Sequence, residues 1–150
     1  MEEKINLDDI IWIEANELWL SQIILEYRCI GKDLGMNFLS LGSLRSNDQY
    51  FVGYIYDKNN LKCPIELVSY IQYKMTTNKL TINYIETAEK YRKKGVSKKT
   101  IDVFVNKVVT NPNISVEITT LSYEGKLANI TGKFQEKLTG EVVEKSKRMI

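Results

Sequence analysis

The chain of 150 residues contains no histidine. This removes the side chain that most often acts as general base near neutral pH, the usual charge-relay triads and most zinc sites. Any catalysis must therefore rest on carboxylates, tyrosines, backbone groups or the substrate itself, and no metal is expected. Cysteine is scarce as well: Cys29 and Cys63 stand far apart without metal-ligand spacing, which fits a reducing compartment and small apolar roles better than a disulfide framework. No apolar run approaches membrane-spanning length, and Met1-Glu2-Glu3-Lys4 is acidic where a leader would be basic. A cytoplasmic protein without membrane contact is expected. The formal net charge is only +2, so positive charge is local and not spread over a surface as in a dedicated nucleic-acid binder.

What is present reads as one α+β domain over residues 1–150 with 43% hydrophobic residues, enough for a core and too short for two ordinary domains. Asn6 followed by Asp9 looks like a helix start, and apolar residues including Trp12, Leu18, Trp19, Ile23 and Leu25 predict a helix from 7 to about 28. Gly31 and Gly35 interrupt it, a second short helix is expected at 34–41, and no first strand is evident, giving a helical part at about 1–45. From Tyr50 the texture turns to β. Runs at 51–56, 65–73 and 80–86, joined by Asp57-Lys58-Asn59-Asn60 and Thr76-Thr77-Asn78, predict an antiparallel meander. A helix from 97 to about 109, stopped by Asn111-Pro112, leads to a strand at 114–121. Leu127, Ile130, Phe134 and Leu138 then mark an amphipathic helix, and Val142-Val143 leaves room for one further strand.

The most informative stretch joins the third strand of the meander to the next helix: Tyr91-Arg92-Lys93-Lys94-Gly95-Val96-Ser97-Lys98-Lys99. Cations crowd a helix start, where unsatisfied N–H groups and the positive macrodipole end already disfavour them. A bound diphosphate would resolve the conflict, with Gly95 allowing close approach of backbone amides and Ser97 serving as N-cap. The competing reading is a solvated basic face with an ordinary turn at Gly95.

Arg92-Lys93-Lys94-Gly95-Val96-Ser97, between that strand and that helix, resembles the acyl-coenzyme A loop of the GNAT N-acyltransferases: Arg or Gln, two residues, Gly, one residue, then Gly or Ala. Ser97 departs mildly from the pattern. The resemblance spans about 51–138 and implies a mixed, mainly antiparallel central sheet with flanking helices and a V-shaped opening between two parallel strands, near 80–87 and 114–121. It also implies acetyl-coenzyme A as cosubstrate, its diphosphate held by Arg92, Lys93, Lys94, Gly95, Val96, Ser97 and Lys98, and its pantetheine arm paired with Ile85, Glu86 and Thr87. Glu86 and Glu66 are the candidate general bases. The tyrosine that many relatives use as general acid is replaced here by Gln135, so Tyr123, Tyr84 or water is expected to substitute. The acceptor would be an amine of unspecified kind. A homodimer and a nucleic-acid partner stay open, and the alternative function is a catalytically degenerate module that binds coenzyme A or a macromolecule.

Overall fold

The alternating runs of the meander form strands because each buries residues on both faces of one sheet. In the computed structural model, which describes residues 5–119 and 126–144, the strands are β1 (Ile11–Ala15), β2 (Gln49–Tyr56), β3 (Ile65–Met75), β4 (Lys79–Thr87), β5 (Ser115–Ile118) and β6 (Val142–Glu144). Their spatial order is β1-β2-β3-β4-β5-β6, antiparallel through β4 and parallel from β4 to β6. The helices are α1 (Glu17–Cys29), α2 (Val96–Val108) and α3 (Lys126–Lys137). Among the described residues, no helix is long and apolar enough to cross a membrane.

The N-terminal expectation is corrected. The Asn6 side chain accepts from the Asp8 N–H and caps only a 3-10 turn at Leu7–Asp9, after which Ile11–Ala15 is a strand. The helix starts later, capped by Asn16, whose side chain accepts from the Trp19 N–H at 2.9 Å. Consecutive apolar residues at Ile10, Ile11, Trp12 and Ile13 blur the two-residue period that would have marked β1. The helix expected at 34–41 is likewise absent; regular structure there is limited to a 3-10 turn at Leu41–Ser43.

β1 is held by a glycine. Trp12 stands opposite Gly53 and stacks on Phe51, with ring centroids 5.8 Å apart. A Cβ at Gly53 would overlap the ring carbons of Trp12. Gly53→Ala is therefore expected to displace the ring and cost about 1–3 kcal/mol, seen as a lower denaturant midpoint at unchanged m.

α2 and α3 cover one face of the sheet, where Phe104 meets Phe51, Tyr73 and Phe134 edge-on in a core with Ile71 and Ile82. The opposite face buries Leu20, Ile24, Tyr50, Val52, Leu67 and Tyr70 beneath α1. β4 is irregular in two respects. Ile82 pairs with Tyr73 and Tyr84 with Gln72, so Asn83 is the extra residue of a bulge. The parallel register with β5 ends at Ile82 opposite Ile118, closed by the Thr119 N–H donating to the Ile82 carbonyl at 2.8 Å, while β4 continues to Thr87. From 83 to 87, the β5-facing edge of β4 has no strand beside it among the described residues. This is the splayed opening.

Candidate active site

The basic loop is shaped by its buried residues. Ala88, Tyr91 and Val96 pack with Ile10 and Val68, which fixes the loop from beneath while Lys93, Gly95 and Lys98 face solvent. Val96 contributes its side chain to the core, leaving only its backbone for a ligand. Lys93 and Gly95 both have positive φ, +62° and +80°, and Gly95 is the N-cap of α2. This corrects the expected cap at Ser97, which lies inside the first turn. Gly95 offers no side-chain acceptor and the first turn holds no acidic residue, so no side chain caps the amides at the start of α2.

The cations divide into two groups. Arg92 is structural in part: its Nε donates to the Thr87 carbonyl at 3.0 Å and a terminal nitrogen reaches the Gly35 carbonyl at 3.5 Å. Lys90 pairs with Glu66 at 3.7 Å. A further cation, without a signal in the sequence, comes from α3, where Lys133 Nζ reaches Ser97 Oγ at 3.4 Å. Burial lowers the Lys133 pKa, and although Asp102 opposes this, Lys98 lowers it further. An anion beside it would favour its charged form. Helical spacing draws attention to Phe134 and not to its neighbour.

Beyond the bulge, Ile85 turns toward α2, while Tyr84 and Glu86 face α1. Glu86 is buried, and its carboxylate accepts from the backbone N–H groups of Asn37 at 2.7 Å, Phe38 at 3.1 Å and Leu39 at 3.1 Å, and from the Tyr70 hydroxyl at 2.5 Å. These donors occupy the lone pairs that a general base would need, and they tie residues 37–39 across the sheet. Burial, reinforced by Glu86, keeps the Tyr70 phenol protonated well above its ordinary range.

Glu66, on β3, lies among Tyr91, Lys32 and Lys90. Burial alone would raise its pKa, but the hydrogen bonds from Tyr91 and Lys32 and the charges of Lys32 and Lys90 outweigh it and hold the carboxyl below its ordinary value. Such a group is a weak base. A depressed folded pKa contributes stability that is present above the unfolded value of about 4.5 and is lost as pH falls through the folded one. Melts between about pH 3 and 6 should show a steep acid limb that flattens in Glu66→Gln.

At the bulge the sheet's α1 side opens into a polar cavity of about 330 Å³, lined in part by Arg45, Asp48, Gln72, Lys74, Asn83 and Tyr84. Gln72 Nε2 donates to Asp48 Oδ2 at 2.6 Å and Asn83 Nδ2 donates to the same oxygen at 3.4 Å. Asn83 Oδ1 lies 3.1 Å from the Thr119 hydroxyl, so the cavity wall continues to the end of β5. No sequence signal singles out Asp48, which sits in a polar linker and meets Gln72 and Asn83 only through the fold. Tyr84 borders both the cavity and the gap and stacks on Phe38 at 5.6 Å. Gln135 is exposed on α3, and Tyr123 lies outside the described residues.

No family model and no curated protein matches the chain. Solved structures do. A possible acetyltransferase from Clostridium difficile 630 aligns at 18% identity and a TM-score of 0.51, covering 94% of this chain and 98% of its own. A ribosomal-protein-alanine N-acetyltransferase from Brucella melitensis biovar Abortus 2308 aligns at 10% identity and a TM-score of 0.55, covering 94% and 97%. With six strands in a mixed open sheet and three helices among the described residues, and the parallel β4–β5 pair that parts at Ile82, the chain has the GNAT acetyltransferase fold.

Proposed function

We propose that the protein is an acyl-coenzyme A-dependent N-acyltransferase that moves an acetyl group from acetyl-coenzyme A to a primary amine by direct attack. The observation that carries this reading is that the unpaired edge of β4 ends at Thr87, a single 3-10 turn (Glu89–Tyr91) before the anion cradle at 93–98, so one continuous ligand can use both. In this reading the amides of 93–98, with Ser97, Lys98 and Lys133, hold the diphosphate. The positive φ at Lys93 and Gly95 supports it, since successive amides turned toward one point form an anion-binding concavity. Residues 85–87 pair with the pantetheine arm as a further strand would, and one of their N–H groups polarises the thioester carbonyl.

Positioning and that backbone donor supply most of the rate in this proposal; one pre-aimed donor to the developing oxyanion contributes roughly 3–4 kcal/mol. Because Glu86 and Glu66 are committed to other partners, the attacking amine loses its proton to Asp48 or solvent. The departing thiolate, already a tolerable leaving group, is protonated by Tyr84, Tyr123 or solvent.

The commitment of both glutamates also favours a second reading, a catalytically silent module that keeps the ligand site. Thiol release from acetyl-coenzyme A across a panel of primary amines separates the two, with binding followed by calorimetry. Amine-dependent release supports the transferase. Binding without release under any amine supports the silent module, and absence of binding at millimolar ligand contradicts both.

A further inference from the structure

The cavity at the bulge has a floor short of donors. Asp48 Oδ1 and Gln72 Oε1 are buried without a hydrogen-bond partner among the described residues, and the two side chains belong to the cavity wall. The Asp48 side chain is 4% exposed, and the nearest cation to Oδ1 is Lys74 Nζ at 3.7 Å, too long for a hydrogen bond. A buried carboxylate oxygen and a buried amide oxygen, each without a donor and both on residues of one cavity wall, call for a group that is both cationic and rich in N–H.

The mouth has the opposite character. Lys74 is 54% exposed at its side chain and free to turn outward. Arg45 is also exposed, and one of its guanidinium nitrogens is pinned by the Gly42 carbonyl at 2.7 Å and the Leu44 carbonyl at 3.0 Å, which holds the group at the rim. Two cations there favour an anionic group and repel a second ammonium.

We propose that this cavity is the acceptor pocket of the transferase proposed above, on which reading the inference rests, and that it selects a small zwitterionic primary amine: an amino acid with both its ammonium and its carboxylate free. The ammonium donates to Asp48 Oδ1 and Gln72 Oε1, and the carboxylate meets Lys74 and Arg45. A plain diamine would set its second charge between two cations. A dicarboxylate without an amine would leave the floor unpaired against Asp48. A protein N-terminus has the amine but lacks the neighbouring carboxylate. Position agrees, because Asn83 and Tyr84 line the cavity at the point where β4 leaves β5, beside the edge assigned to the thioester. In the transfer the amine nitrogen bonds to the acyl carbon as the carbon–sulfur bond breaks. Of the two protons the ammonium loses, one ends on the thiol and one in solvent, giving an N-acyl amino acid and coenzyme A.

The test compares amino acids with their decarboxylated amines: L-serine with ethanolamine, L-lysine with cadaverine, L-phenylalanine with phenethylamine. Calorimetry on the protein alone should give at least one amino acid bound ten times or more tighter than its amine. Lys74→Ala and Arg45→Ala, at exposed positions, should each erase most of that ratio, and Asp48→Asn should weaken both members of the pair. Equal affinity within every pair, no binding at millimolar concentration, or a preference untouched by Lys74→Ala and Arg45→Ala would overturn the proposal. Thiol release with acetyl-coenzyme A is measured in parallel. Release from amines without amino-acid preference sinks the pocket and spares the transferase, whereas amino-acid binding without release sinks the transferase and with it the acceptor role, leaving the cavity's selectivity for an amino acid.

Discussion

Glu86→Ala is expected to lower the melting temperature by on the order of 10 °C. The carboxylate receives the N–H groups of Asn37, Phe38 and Leu39 and the hydroxyl of Tyr70, and truncation leaves the Leu39 and Tyr70 donors without their acceptor in a buried site and those of Asn37 and Phe38 in a part-buried one. Unsatisfied buried donors cost about 1–3 kcal/mol each and do not add fully, so a total of roughly 3–5 kcal/mol follows. Segment 37–39, which Glu86 ties to the sheet, should also lose amide protection in hydrogen exchange. Glu86→Gln offers only partial relief, since its amide nitrogen turns a donor toward other donors. Calorimetric melts decide the matter: a Glu86→Ala protein that melts normally but has lost turnover would make Glu86 the general base after all.

The second large effect concerns Gly95. Open space surrounds its missing side chain, as an added Cβ would meet only Leu7 Cδ1 at an ordinary 3.8 Å. The constraint is the backbone, with φ at +80°, where a β-branched residue is strained by about 1–2 kcal/mol. Gly95→Val is therefore expected to destabilise the protein alone by that amount and to abolish coenzyme A binding, because the side chain also crowds the amides of the cradle. Gly95→Asn separates the two effects: asparagine tolerates the left-handed region, so stability should be kept while affinity falls. At a hundredfold excess over Kd a ligand adds about 2.7 kcal/mol of apparent stability, so the loss is read as a missing thermal shift. Normal shifts in both variants would move the cradle elsewhere.

These two residues also mark how far local sequence is legible. The meander, α2 and the cationic loop follow from local periodicity and turn chemistry, and the structure has them within a residue or two of the expected bounds. β1 is hidden because Ile10 to Ile13 read as one apolar run, and the cap of α2 is misplaced because Ser97 is a better side-chain cap than Gly95, whose qualification is its left-handed φ. Glu86 is visible as a carboxylate on the right strand, but its partners at 37–39 come from a loop nearly fifty residues earlier. Asp48 is not visible at all, since Gln72 and Asn83 gather around it only once β3, β4 and the linker before β2 are folded together. Local pattern reveals elements and loops; which lone pairs remain unclaimed is decided by tertiary contacts.

The most direct test of the account is a crystal structure of the protein soaked with acetyl-coenzyme A. The account predicts the diphosphate against the amides of 93–98 with Lys133 beside it, the pantetheine arm along 85–87, and the thioester at the gap beyond Ile82, facing the cavity of Asp48. A ligand bound away from β4, or a diphosphate held elsewhere with the cradle empty at saturating concentration, would contradict it.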